Sequence, residues 1–446
     1  MTTSFFLVCI AGPDRGKHAR IEHATMRIGS TPDCNVLTDD PDIVGPVVSV
    51  RLEGTRVHVD ALASVLPFVD GHAVPHADLA ASQQIRIGRS LWEVHTSDGA
   101  SPVFEFVTRL GSHLANATGI ESPAEWNARD MFADVARKHG DDDIEGYFTV
   151  GTTFTTPSLS EIDPRWPRPW VFLRVCGLSL ALYWGFTFAW NSFQNVNLIP
   201  GLIMIGSVAV PLSLLIFFFE VNVPRNVSLY QVIKLLLTGG LVSIIASLFL
   251  FSWTRGLSSW LGAMSAGIVE ETGKVLTLLL VVRKPRFRWT LNGLLLGATV
   301  GTGFAVFESA GFALRAAISD NGGIAAMREV IFERGVLSIL GGHVLWTGLA
   351  GAALWRVRDD RPFSYDMLTD PRFLRVLAAC MVMHMLWNSR LSLPLFGVLG
   401  KFALLGAAAW FLVLGMIQSG LRQVRTAQER DAMRRTGENA RVTATS

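Results

Sequence analysis

The stretch SSWLGAMSAGIVEETGKVLTLLLVV, residues 258–282, decides how this chain is read. It is apolar over a length that crosses a bilayer, since about 20 apolar residues span a hydrocarbon core of ~30 Å as a helix. Yet Glu270, Glu271 and Lys274 stand near its middle. An ionisable group at the bilayer centre costs roughly 2.5–3.5 kcal/mol on insertion scales, so residues found there are functional candidates. Glu270 and Lys274 are four apart and share one helix face, which suggests an ion pair along the helix. Glu271 lies about 100° round the helix and is free to face another neighbour. Two adjacent carboxylates in low dielectric cannot both ionise cheaply, and a poised carboxylate suits a general base for water.

Outward from this stretch the chain remains apolar. Eight segments approximate a membrane span: 170–190, 198–219, 230–252, 258–282, 290–315, 335–355, 372–390 and 394–418. Of the 446 residues, 50% are hydrophobic and only 17% charged, with a mean hydropathy of +0.36, which excludes disordered, collagen-like and coiled-coil chains. A net charge of +2 is too small to argue for nucleic acid. Cys9, Cys34, Cys176 and Cys380 are far apart and show neither a disulfide framework nor zinc-ribbon spacing. Basic residues favour cytoplasmic loops. They concentrate before the first span (Arg165, Arg168), in 283–289, at Arg356, Arg358 and Arg361, and from Arg422 to Arg435. This pattern puts both termini of a multi-pass cell-membrane protein in the cytoplasm.

The other spans add polar groups. The fifth carries Glu308 below a ridge of small residues, Gly293, Gly297, Gly301, Ala305 and Ser309, which permits close helix approach. Glu308 follows Gly301 by seven residues and returns to nearly the same face. The sixth span carries His343; the seventh carries His384 and Asn388, four apart on one face. Glu270, Glu308, His343 and His384 fall between about 0.5 and 0.7 of the way along their spans from the cytoplasmic end, a layer roughly 6–7 Å thick. They are expected to converge on one site.

These residues resemble the PrsW family of intramembrane proteases, relatives of the CAAX-processing peptidases. The matching elements are Glu270-Glu271-Thr272-Gly273-Lys274, Phe304 to Glu308, His343 and His384, with Asn388 resembling the His-x-x-x-Asn element of the CAAX relatives. The resemblance covers about residues 170–420. It implies an intramembrane endopeptidase acting on membrane-embedded, single-span substrates such as anti-sigma factors. Candidate catalytic residues are Glu270, Glu271, Lys274, Glu308, His343, His384 and Asn388. Glu270 and Glu271 would activate water, with Lys274 orienting or neutralising one of them. Glu308 and His343 would complete the water site, and His384 with Asn388 would stabilise the oxyanion. No cofactor is fixed by the sequence. Glu271, Glu308, His343 and His384 also form a donor set for a divalent metal such as zinc. From other classes, a transporter or receptor with a buried polar site, or a non-catalytic scaffold, would use the same helices. No internal repeat of the transporter kind is visible.

Upstream, short runs with turn signals predict a β-sandwich over residues 1–97, with strands near 4–10, 25–29, 47–52, 56–60, 85–88 and 91–95. The stretches Met26 to Ser30, Cys34 to Pro41, Val57 to Asp60, Phe68 to Gly71 and Ile85 to Gly88 resemble a forkhead-associated (FHA) domain. That family reads phosphothreonine through an arginine, a Ser-x-x-His element and an asparagine. Ser30 and Gly45-Pro46-Val47-Val48 stand in the first two places, and no asparagine occurs between Asn35 and Asn116. A degenerate FHA-like domain that binds a cytoplasmic protein partner or dimerises is therefore expected. Residues 98–169 form a connector, with a short helix from Phe104 to Leu114, a turn at Asp141 to Asp143 and a tether from Thr152 to Pro169. Residues 170–420 form the membrane bundle, and 421–446 a basic cytoplasmic tail.

Overall fold

The structure, a computed structural model, describes residues 4–445 apart from 15–16, 22–24, 32–33, 63–65, 98–101, 124–125, 320–321 and 393–396. The chain divides into two compact units, Met1–Arg109 and Leu110–Ser446.

The first unit is a sandwich of two sheets. Its strands are β1 (Ser4–Ala11), β2 (His18–Ile21), β3 (Met26–Gly29), β4 (Val36–Leu37), β5 (Pro46–Glu53), β6 (Arg56–Ala61), β7 (Phe68–Val69), β8 (His72–Ala73), β9 (His76–Leu79), β10 (Gln84–Ile87) and β11 (Ser90–Ser97). One sheet runs β2-β1-β11-β10-β7-β8, the other β4-β3-β5-β6-β9. Alternation explains the core: Phe5, Leu7 and Cys9 of β1 point inward, as do Val57 and Val59 of β6, Ile85 and Ile87 of β10, and Trp92 and Val94 of β11. The six expected strands are present. The other five are two to four residues long, too short for periodicity to register. At the FHA-like loops, Ser30 Oγ accepts the Gly45 N–H (2.9 Å) and Asn35 Oδ1 accepts the Arg27 N–H (2.8 Å), so both side chains serve loop structure.

Helices follow: α1 (Pro102–Thr118), α2 (Ala128–Met131) and α3 (Asp141–Phe148). Asp141 to Asp143 therefore open a helix where a turn was expected. Acidic residues suit a helix N-terminus, and the Asp143 carboxylate accepts the Gly140 N–H at 3.0 Å. The expected tether is docked: Ile162 packs with Trp289 and Val424, and Arg286 donates to the Gly151 carbonyl at 2.7 Å.

The remaining helices are α4 (Val171–Phe193), α5 (Ile199–Glu220), α6 (Leu229–Trp253), α7 (Arg255–Leu261), α8 (Ser265–Val282), α9 (Thr290–Ile318), α10 (Ile324–Arg334), α11 (His343–Arg358), α12 (Pro371–Trp387) and α13 (Gly397–Thr445). Six candidate spans among the described residues are long and apolar enough to cross a membrane. Helices α8, of 18 residues, and α12, of 17, fall outside that set. They carry Glu270, Glu271, Lys274 and His384, four of the candidate site residues; Glu308 and His343 lie on helices within the set. The sixth expected span, 335–355, is α-helix only from His343, where α11 begins directly after Gly341-Gly342; α10 ends at Arg334, before that span starts.

Helix α9 is buried along most of its length and forms the axis of the bundle. Its glycines set the spacing. A Cβ at Gly293 would lie 2.6 Å from the Gly351 carbonyl oxygen of α11, and one at Gly240 of α6 would lie 2.7 Å from the Gly303 Cα. Neither contact admits a side chain.

Candidate active site

Four helices bring the polar side chains together. Successive turns of α8 supply Glu270, Glu271 and Lys274; α9 supplies Glu308; the first residue of α11 is His343; α12 supplies His384 from its last turn. Placing His343 at a helix start brings the positive end of the α11 dipole to the surrounding carboxylates.

Glu271 and Lys274 are wholly buried. Glu271 Oε1 accepts from Lys274 Nζ at 2.7 Å and lies 3.0 Å from His384 Nδ1. Lys274 Nζ also lies 2.7 Å from His343 Nδ1 and sits over the Phe304 ring, 4.1 Å from its centroid. On its far side, His343 Nε2 lies 2.9 Å from Glu308 Oε2. Arg334, at the end of α10, pairs with the same Glu308 oxygen. Each histidine thus has an outer carboxylate that orients its ring, Glu271 for His384 and Glu308 for His343. The inner nitrogens face Glu270 Oε2, with His384 Nε2 at 3.8 Å and His343 Nδ1 at 4.0 Å; Lys274 Nζ is 3.8 Å away. Glu270 Oε2 is buried and has no hydrogen-bond partner among the described residues.

The expected Glu270–Lys274 pair is therefore the longer of two contacts. Lys274 turns to Glu271 because His343 sits on that side and accepts a second hydrogen bond. Asn388 follows the last residue of α12; its amide donates to the Ala263 carbonyl at 3.4 Å. It lines a cavity of about 590 Å³ that reaches Glu270 and Glu308 and is walled by Leu248, Phe251, Phe304, Phe307 and Phe312. Three contributors were missed in the sequence. Arg334 stands beside Glu333 in what reads as a balanced loop. Phe304 opens the motif that ends at Glu308, and nothing in its spacing announces the contact with Lys274. Trp346, three residues after His343, stacks on His384 with ring centroids 4.5 Å apart.

Among the described residues, Glu270, His343 and His384 form one group with ligand atoms within 4.8 Å of one another. Two imidazoles and a carboxylate suit zinc, and an otherwise unpartnered Glu270 oxygen beside two ring nitrogens fits a cation. Lys274 shares His343 Nδ1, so holding an ion there requires the ammonium to stay with Glu271 alone.

Residues 227–425 match the family model described as PrsW family intramembrane metalloprotease. The chain carries a PrsW-type protease domain. The PrsW domain makes the protein a membrane protease, a peptide-bond hydrolase. It contains every candidate site residue named above. No curated protein matches the chain. Solved structures similar to the N-terminal region include the FHA domain of CT664 from Chlamydia trachomatis (21% identity, 21% of this chain, 96% of that one, TM-score 0.20). A second is the first FHA domain of Rv1747 from Mycobacterium tuberculosis (13% identity, 22% and 98% covered, TM-score 0.19). A third is the cytoplasmic domain of the type III secretion sorting-platform protein PscD from P. aeruginosa (20% identity, 22% and 85% covered, TM-score 0.20).

Proposed function

We propose that this protein cleaves membrane-embedded protein substrates at the buried polar site, with Glu270 as the group that faces the reacting atoms. One observation carries the reading. Glu270 Oε2 stands 3.8–4.0 Å from three nitrogens, too far for direct hydrogen bonds and close enough for a small group to bridge. In this reading a water between Glu270 and the substrate loses a proton to Glu270 as its oxygen bonds to the scissile carbonyl carbon. The proton passes to the leaving nitrogen as the C–N bond breaks. The Lys274 charge and the His384 ring stabilise the oxyanion. Glu271 and Glu308 are positioning residues that act through His384 and His343.

A second reading rests on the group Glu270, His343 and His384 and on the family's description as metalloproteases. A divalent ion held by these residues would polarise the carbonyl and lower the pKa of water. Substrates are single-span membrane proteins of the anti-sigma-factor kind, and the sandwich binds a cytoplasmic protein partner.

The test uses purified full-length protein and single-span substrates in lipid nanodiscs. Glu270→Gln should lower cleavage by about a hundredfold or more while membrane insertion is unchanged. Full activity in that variant would sink the proposal. Chelation followed by zinc return, with metal content read by mass spectrometry, separates the readings. Lost and restored activity supports the ion; indifference to the chelator supports the carboxylate alone.

A further inference from the structure

Beyond Glu308, helix α9 continues as a stripe along the same cavity. Gly311 and Phe312 follow one turn later and Arg315 two turns later, at the i+3, i+4 and i+7 positions that share a helix face. The Arg315 guanidinium lies 4.7 Å from the Phe312 ring centroid. Arg334 reaches the same ring from α10, at 4.2 Å, while pairing with Glu308. Two guanidinium groups thus share one aromatic ring on the wall of the cavity that holds Glu270. Like charges this close repel in a low dielectric. Glu308 balances one of them. No ion pair to Arg315 is formed among the described residues, and its side chain is exposed. A planar guanidinium is matched best by a carboxylate, which it binds through two parallel hydrogen bonds.

We infer that Arg315, supported by Phe312 and Arg334, is a specificity subsite for an acidic side chain of the substrate; this rests on the proteolytic reading above. The apolar wall of Leu248, Phe251 and Phe307 accepts membrane-embedded residues, and the arginine pair selects one acidic residue among them. Seven helical residues separate Glu308 from Arg315, a rise of about 10 Å. Arg315 folds back onto Phe312, which shortens that distance. Extended peptide advances about 3.3 Å per residue, so the acidic residue lies two or three positions from the cleaved bond, toward the Ile318 end of α9.

The experiment takes the full-length protein in nanodiscs and a panel of synthetic single-span peptides. Each carries one Asp, moved position by position, or Asn in its place. Cut sites are read by mass spectrometry and kcat/KM is measured for each pair. Cleavage should fall two or three residues from the Asp, which should be preferred over Asn by about fivefold to tenfold, the scale of a partly exposed ion pair. Arg315→Gln should bring that ratio to about one, and Arg315→Glu should favour a Lys peptide. A ratio near one in the unaltered protein, or one that survives Arg315→Gln, overturns the inference while leaving proteolysis intact. If Arg315→Gln slows Asp and Asn peptides alike, and only in discs with anionic lipid, the arginine holds a lipid headgroup and the inference is equally lost. If no peptide is cut, the proteolytic reading fails. Photo-crosslinking of Glu270→Gln protein to the Asp and Asn peptides then judges the subsite, and equal capture overturns it.

Discussion

Glu270 and Glu271 differ by one position and by everything around them. Glu271 shares an oxygen between Lys274 and His384, whereas Glu270 faces the cavity. The sequence marked both, because a carboxylate inside an apolar span is conspicuous whatever it touches. The spacing paired Lys274 with Glu270, yet i+3 also lies on Lys274's side, and His343, 69 residues away, turns the lysine to Glu271. Arg334 was hidden for the opposite reason, since an arginine beside a glutamate in a connecting segment looks like ordinary solvated charge. In the sandwich, His58 shows how a single side chain sets a pH dependence. The Asp78 carboxylate, 2.6 Å from Nδ1, raises His58 above its ordinary value, and Asp60 at 3.1 Å from Nε2 adds to this. A raised folded-state pKa gives stability that is complete below the unfolded value, near 6.5, and is lost as pH rises through the folded value. Protection factors of the β6 amides, with the intrinsic base-catalysed rate divided out, should therefore fall above neutrality, and His58→Gln should flatten that fall. Protection factors that do not change with pH in the unaltered protein would contradict this assignment.

At the scale of the element, the four-residue spacing of glycines on α9 was legible and its partner was not. The stripe packs on the backbone of α11, where Gly301 faces the carbonyl of His343 itself. A methyl group there meets main chain, which cannot step aside as a flexible side chain would. Gly301→Ala should cost about 1–3 kcal/mol of stability and should displace His343 from Glu308. Thermal unfolding in detergent and the cleavage assay check the two effects separately. An active protein of unchanged thermal midpoint would mean that α9 and α11 are looser than their spacing implies. Eight spans were read from hydropathy, and the structure explains the difficult two. Helices α8 and α12 trade apolar length for the groups they hold, and a break at Gly341-Gly342 puts His343 at a helix end, which no periodic pattern announces.

For the whole molecule, the basic segments are fixed parts of the structure. Arg358 donates to the Phe287 carbonyl at 2.7 Å, Arg283 meets Tyr365, and Arg286 holds Gly151, so the α8–α9 connection is tied to the segments before and after it. Their shared side is the cytoplasmic one in the orientation we propose. Reporter fusions after Ser97, within 283–289 and after Thr445 should all report cytoplasm. A reporter after Ser97 found outside would reverse the orientation. Organisation into a sandwich and a membrane unit was readable because the two halves are written for different solvents. The strands of two to four residues were not readable, since so short a run carries no alternation to detect.

The glycine contacts along α9 and α11 also make the site a fixed mark. One residue of slippage between these helices would move it 1.5 Å and swing its side chains through about 100°, so the mark cannot drift to meet a substrate. The substrate must slide to the mark. On the proteolytic reading proposed above, the bond is then chosen by its distance from the acidic residue held at Arg315, as on a ruler. Inserting two apolar residues between that acidic residue and the cleaved bond should move the cut by two residues, a shift that mass spectrometry of the products reads directly.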